Sequence, residues 1–574
     1  MKKALSISTI RVDDAVLLIH IFLKVDLPAL LDQHFTRHGN QKGLSWGWIA
    51  TIWLAHILTK GDHRKLTVRA WIAKCRDILS KTVGFEIQEI DFTDDKLTLL
   101  LKRFSDVETW HKIEEDLCAN IMFAYDLIPE IVRVDATTVS GYHAGGKNSL
   151  FQFGKSKEHP ELLSVKIMQT TLDPLGLPLS TTVVPGNRAD DKLYIPAIER
   201  AISCIKKNGV LFVGDSKMSS IETRSFLQRS KQRYLTPLAN TGETPKCLKE
   251  WVLETVQNPQ ILQEIPVKTD KEGEFERCQG YSLERVAIDN SKNPPQCWNE
   301  TVFVAYSPNF GASMRNGLDQ RLKSAKEKLV ALTASARRRQ NKTEVDLRKS
   351  AVALLKKYQV NGILTYSVER IVTTTTKYVG RGRGGADRPQ KTVETVRYDL
   401  TEVHLDEEAL KAEQLLMGWR AYVSNLPSSE MSLVRAVEIY RLEHLIEHSF
   451  HRLKGIPLSL SPIFVHRDDQ VAGLIHFLSL AVRFLTLIEH RVRTNLKEQG
   501  AFLTGLHLEN PKKENRFPTA ERLLEQFSEI TFTVVCVGGV EFEHITPHTA
   551  LQAKILELLE LPPDIYSRLV VNSG

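Results

Sequence analysis

The sequence predicts an α/β protein: a helical N-terminal segment, then a sheet-bearing core interrupted by a mixed α+β insertion. Three observations carry that expectation. Helical signals dominate residues 10 to about 128, strand-like runs begin at Ile128, and a helical pattern returns after Val423-Ser424-Asn425.

In the first segment, Val16-Leu17-Leu18-Ile19 is followed by Ser45 as a cap for Trp46 to Leu58. Thr93 then caps an acidic first turn ahead of Leu97, Leu100, Leu101 and Phe104. Spacing alone leaves both a DNA-reading helix-turn-helix and a plain helical bundle open. From Ile128, strands are expected at Ile131 to Asp135, Leu162 to Leu172 and Leu177 to Val184, the last two joined through Pro174-Leu175-Gly176. Asp190 and Asp191 open a helix to about Lys207, Val210 to Val213 is a short apolar strand ending at Gly214-Asp215, and a helix near Ser219 to Gln228 precedes a strand at Tyr234-Leu235.

Residues 241–425 read as the insertion. Strands around Tyr281 to Ile288 and Thr301 to Tyr306 lead into Leu318, Leu322, Ala325, Leu329 and Leu332, spaced for a helical hairpin with Val345 to Leu355. The basic loop Gly380-Arg381-Gly382-Arg383-Gly384-Gly385 is either a phosphate contact or a solvated hairpin tip. The expected division is thus 1–128, 129–240, 241–425, 426–495 and an α+β tail at 496–574.

Composition excludes several classes. At 574 residues the chain exceeds one hydrophobic core, and 42% hydrophobic with 25% charged residues carries no signature of disorder. The net charge of +7 suits a polyanionic partner. Seven cysteines without a C-x-x-C pair suggest neither a zinc ribbon nor a disulfide framework, so a reducing, cytoplasmic setting is expected. The start reaches Arg11, Asp13 and Asp14 before any sustained apolar run, unlike a signal peptide, and Val471 to Ile488 contains His476 and Arg483, so a buried helix rather than a membrane span is expected.

Chemistry concentrates on three acids. Asp135 and Asp215 each end an apolar strand, and Glu447 lies on the non-packing face of a segment, Tyr440 to Lys454, that reads as one amphipathic helix. At about 100° per residue, Leu442, Leu445, Ile446, Ser449 and Leu453 share one side, with Tyr440, Glu447, His451 and Lys454 opposite. In a β-β-β-α-β layout the first and fourth strands can lie side by side, so the two aspartates would meet with Glu447 laid across them. Crowded carboxylates need cations, and oxygen ligands suit two Mg²⁺ or Mn²⁺ ions acting on a phosphodiester. His444-Leu445-Ile446-Glu447-His448 also matches the H-x-x-E-H zinc spacing, but that reading leaves the other motifs without a role.

The chain resembles insertion-sequence transposases of the DDE class, in the group marked by a Tyr-Arg-Glu-Lys signature. The carriers are Val134-Asp135-Ala136-Thr137-Thr138, Gly154-Lys155-Ser156-Lys157-Glu158-His159, Gly186-Asn187-Arg188-Ala189-Asp190, Val213-Gly214-Asp215-Ser216-Lys217, Gly418-Trp419-Arg420-Ala421-Tyr422, and Ile446-Glu447 through Phe450 to Leu453-Lys454-Gly455. The resemblance implies an RNase H-like catalytic domain interrupted by the insertion. It also implies Asp135, Asp215 and Glu447 as metal ligands, and cleavage at the element's ends followed by attack of the freed 3′-hydroxyl on target DNA. Its partners would be double-stranded DNA, as terminal inverted repeats and target, with a homodimer holding two ends and no membrane involved.

One position departs from the pattern: Glu443 stands three residues after Tyr440, where the signature has arginine. Arg441 projects about 100° from Tyr440 and cannot replace that arginine from the same face, leaving Arg452 as another source of charge. The candidate DNA contacts are therefore Tyr440, Arg441, Arg452 and Lys454, with Arg381 and Arg383 in the basic loop. A catalytically impaired, DNA-binding relic and an RNase H-like nuclease without transposition are the rival readings.

Overall fold

The computed structural model describes residues 5–36, 39, 43–146, 149–154, 159–268, 275–334, 343–379, 389–461, 463 and 465–570. The chain opens with a strand, β1 (Leu5–Arg11), where the sequence reading begins only with helices. Its seven largely exposed residues carry little pattern of their own, and its partner lies some 520 residues away, which is why local reading misses it.

Six helices follow, from Ala15–Leu23 to Val107–Ala124. Ser45 caps Trp46–Lys60 by accepting from the Trp48 N–H, and Thr93 caps Asp94–Phe104 by accepting from the Lys96 N–H. These helices and residues of the central sheet share one continuous apolar core around the 31-residue helix Asp468–Glu498. That helix is long and apolar enough to cross a membrane, yet it is sheathed by protein, 94% buried over its most apolar stretch. Gly473 explains one close approach: a Cβ there would sit 1.9 Å from the Leu101 carbonyl oxygen. Two polar residues buried along it are answered internally: His476 bonds the Phe104 carbonyl at 2.8 Å and stacks on Trp110, and Arg483 bonds Glu114 at 2.6 Å and the Pro178 and Leu179 carbonyls.

The central sheet uses β2 (Ile131–Gly141), β3 (Leu163–Leu172), β4 (Leu177–Pro185), β5 (Leu211–Gly214), β6 (Arg233–Pro237), β7 (Gln263–Lys268), β8 (Phe275–Asp289) and β9 (Gln296–Tyr306). After the helices Pro308–Ala334 and Glu344–Lys357, β10 (Leu364–Tyr378) and β11 (Gln390–Leu405) make a separate hairpin, and β12 (Trp419–Ser424) returns to the sheet. The order is β4-β3-β2-β5-β6-β12-β9-β8-β7. β2, β3 and β4 form an antiparallel meander, while β5 pairs parallel to β2 and β6 parallel to β5. The first and fourth strands of the β-β-β-α-β run are thus neighbours.

Residues 241–425 contribute in two ways. Strands β7 to β9 extend the central sheet through β12, whereas the helical pair and β10-β11 gather around a small core of their own that includes Leu318, Ala325, Leu329, Ala351 and Leu355. A local reading cannot distinguish these, because sheet extension depends on β12 arriving from beyond the helices. The tail adds β13 (Thr531–Val537) and β14 (Val540–Ile545), which join β1 in a three-stranded sheet.

Candidate active site

The acid site begins with register. β2 and β5 run parallel with Val134 paired to Gly214, so the next residues, Asp135 and Asp215, stand side by side where β5 ends; β2 does not stop at Asp135 but continues to Gly141 along β3. The Asp135 carboxylate accepts from the Ala136 N–H at 2.7 Å. Asp215 accepts from the Lys217 N–H at 2.9 Å and from the Tyr194 hydroxyl at 2.5 Å, while its own carbonyl accepts from Thr236 Oγ1 at 2.7 Å. Each aspartate is aimed by backbone and neighbours rather than left to solvent.

The Tyr440-to-Lys454 segment differs from its expected form: it is two helices, Leu433–Arg441 and His444–Lys454, broken at Leu442-Glu443. The cause lies on β2. Arg133, fully buried, donates to the Ile439 carbonyl, the acceptor that the Glu443 N–H would use in a continuous helix. The Glu443 N–H bonds the Tyr440 carbonyl at 3.2 Å instead. Asp173 anchors the same guanidinium, 2.8 Å from Arg133 Nε, and burial pushes its carboxyl up to about 6 in spite of Arg133. Ser449 docks the second helix on the sheet, its Oγ donating to Gln169 at 2.7 Å, and Gln169 is the β3 residue opposite Asp135.

The break decides which glutamate meets the aspartates. A small cavity is lined by Arg133, Val134, Asp135, Val213, Gly214, Asp215, Tyr440, Glu443 and Ile446. Glu443 faces the aspartates, and Glu447, one turn further along, is exposed and outside that lining. Burial pushes the Asp135 carboxyl up to about 7; Asp215 and Glu443 add to the rise and the Ala136 N–H opposes it. Glu443 is likewise raised by burial and by Glu447 and Asp215, with Arg420 opposing.

Tyr440 is buried, packed on Tyr422 at 4.8 Å between ring centroids. Arg441 pairs with Glu276 of β8 at 2.8 Å. Arg452 is also buried, its guanidinium between Glu489 and Glu521, so its charge ties the helix to the scaffold instead of facing outward. Lys454 closes the helix and is half-buried. Arg381 and Arg383, and Lys155 to Glu158 of the second motif, lie outside the described residues. The motif glycines beside them are explained by contact: a Cβ on Gly154 would lie 2.1 Å from the Gly186 carbonyl oxygen, so the two motif loops touch backbone to backbone.

Sequence reasoning missed Arg133, Tyr194 and Arg420. A lone arginine in the apolar run Ile131-Val132-Arg133-Val134 was the available signal for the first, since a buried guanidinium requires a buried partner. Nothing local marks Tyr194. Trp298 is buried and its Nε1 donates to the Tyr234 hydroxyl at 2.7 Å; Trp419 packs on Tyr306.

The residues test a metal only in part. An all-carboxylate set with a partly buried, uncompensated aspartate fits hard divalent cations. Among the described residues, no three His, Cys, Asp or Glu side chains converge tightly enough to enclose an ion as they stand, and this holds for the H-x-x-E-H run as well.

Residues 127–484, more than half the chain, match the transposase DDE domain family. The chain belongs to that family. Proteins of this family generally use divalent metal ions. No curated protein sequence matches this transposase. A solved structure described as the piggyBac transposase synaptic complex with hairpin DNA is similar over 99% of this chain and 88% of that one, at 9% identity and a TM-score of 0.33. A likeness that loose carries no inference about this molecule.

Proposed function

We propose that this transposase binds double-stranded DNA at the ends of its insertion element and catalyses divalent-metal-dependent cleavage and strand transfer. The observation that carries the reading is the parallel pairing of β2 with β5, which sets Asp135 beside Asp215 under a helix that bears Glu447 and is preceded by Glu443. The order β4-β3-β2-β5-β6, an antiparallel meander followed by two parallel strands, supports an RNase H-like catalytic fold. Asp135, Asp215 and Glu447 would hold Mg²⁺ or Mn²⁺, two ions in all. When bound, such ions neutralise charge on the scissile phosphate and ease deprotonation of the attacking hydroxyl. The protein's own part is to fix the carboxylates: Tyr194 and the Ala136 and Lys217 N–H groups hold the aspartates, and Ser449 with Gln169 holds the helix. Residues 1–128 are the proposed end-binding segment, the protein acts in the cytoplasm, and a homodimer holds two ends.

A DNA-binding relic is the second reading, favoured by the exposure of Glu447 outside the acid cavity. A strand-transfer assay on the element's own ends separates the two. Activity requiring Mg²⁺ or Mn²⁺ and lost in Asp135→Ala, Asp215→Ala and Glu447→Ala is the expected result. End binding without any product supports the relic, and residual product in any one variant removes that residue from the site.

A further inference from the structure

We propose that Arg420 is a phosphate-binding residue of the acid site, gripping the DNA backbone beside the reacting carboxylates; this rests on the transposase reading above. The acid cavity does not stand alone. Tyr440 and Glu443 also line a cavity of about 960 Å³ against β7 to β9, and Asp215 and Tyr440 line a second of about 460 Å³ beside the helix Thr244–Gln257. A strand of nucleic acid led to Asp135 and Asp215 through either opening carries a phosphate charge past three acids, so the passage needs a cation.

Among the described residues, Arg420 is the only lysine or arginine lining both cavities. The other arginines of the larger one are engaged elsewhere: Arg441 pairs with Glu276 at 2.8 Å, and Arg435 lies 3.7 Å from Glu438. Arg420 has no carboxylate within ion-pair distance among the described residues. It comes from β12, and its guanidinium lies over Phe310 at 4.5 Å and Tyr440 at 5.8 Å, both of which line the same cavities. Aromatic rings on a guanidinium fix its plane while leaving edge donors for an anion, which suits a two-point grip on phosphate. The half-buried setting strengthens that grip relative to a surface lysine. Arg420 also faces Glu443 electrostatically, so the cation at this site comes from the sheet while the helix presents an acid.

The test is the salt dependence of binding to a duplex carrying the element's own terminal repeat. Removing the charge that neutralises one phosphate lowers the slope of log affinity against log salt by about one. Arg420→Met, which keeps an apolar side chain on the rings, is expected to weaken binding about tenfold to a hundredfold and to flatten that slope by about one. Arg420→Lys should keep the slope and bind several-fold more weakly than wild type. Arg420→Gln gives a second uncharged variant should the methionine variant fail to fold by circular dichroism. Adding Glu443→Arg to Arg420→Met should restore the slope. Wild-type slope and affinity in the uncharged variants overturns the proposal. Wild-type protein that does not bind the duplex, or binds with no salt dependence, overturns the transposase reading itself.

Discussion

Carboxylates withdrawn from solvent sit in two contrasting settings in this protein. In the scaffold several have a base: Glu114 faces Arg483, Asp173 faces Arg133, and Glu489 with the partly buried Glu521 brackets Arg452. Where β5 ends beside the middle of β2, Asp135, Asp215 and Glu443 crowd one cavity, and Lys217, whose charge reaches Asp135, is itself tied to Asp190. In the first group an arginine partner offsets part of the cost of burial, whereas among the described residues no lysine or arginine forms an ion pair with the acids of the second. The scaffold pairs hold the shape, and in the proposed reading the crowded acids carry the chemistry.

The sharpest way to break that contrast is to neutralise one acid of each kind. Asp135→Asn keeps an acceptor for the Ala136 N–H and removes a crowded charge. It should abolish strand transfer while raising stability by about 1–3 kcal/mol in denaturant unfolding. A variant that is both inactive and destabilised would move Asp135 into the structural class. Arg483→Met is the converse: loss of one partner of the buried pair with Glu114 should cost about 3–5 kcal/mol, as should Arg452→Met, with the latter leaving the salt slope of DNA binding unchanged. A shallower slope in Arg452→Met would return that residue to the DNA surface.

A smaller effect tests whether the scaffold excludes charge as strictly as its pairs imply. Burial lowers His56 and His476 from 6.5 to about 4. The unfolded chain therefore takes up protons that the folded protein refuses. The contribution is fully present above pH 6.5 and is lost as the pH falls through 4, on the order of 3 kcal/mol for each ring. Thermal melts at descending pH should show the decline, and His476→Gln should blunt it. A variant that loses stability with the wild-type pH profile would assign the decline to other groups.

The meeting of Asp135 and Asp215 was readable because its determinants are local. Asp135 and Asp215 terminate short apolar runs separated by one meander and one helix, and short connections with a right-handed crossover bring such strands together. Caps at Ser45 and Thr93 were readable for the same reason. The helix break at Leu442-Glu443 was not, because an arginine 306 residues earlier takes the carbonyl that would continue the helix. Nor were the sheet extension through β12 or the pairing of β1 with β13, each decided by a partner distant in sequence. The amphipathic pattern of the Tyr440-to-Lys454 segment fits a single helix, and only a long-range hydrogen bond distinguishes that from the two helices present.

The central claim is that the acid cluster is built to be completed by divalent cations, and melting temperature with and without Mn²⁺ tests it most directly. Wild-type protein should melt at rising temperature as Mn²⁺ is added, since a ligand bound by the folded state alone stabilises it. Asp135→Asn should melt higher than wild type without metal and respond little when it is added. A wild-type protein indifferent to Mn²⁺, or an Asp135→Asn variant that responds as strongly as wild type, would contradict the account.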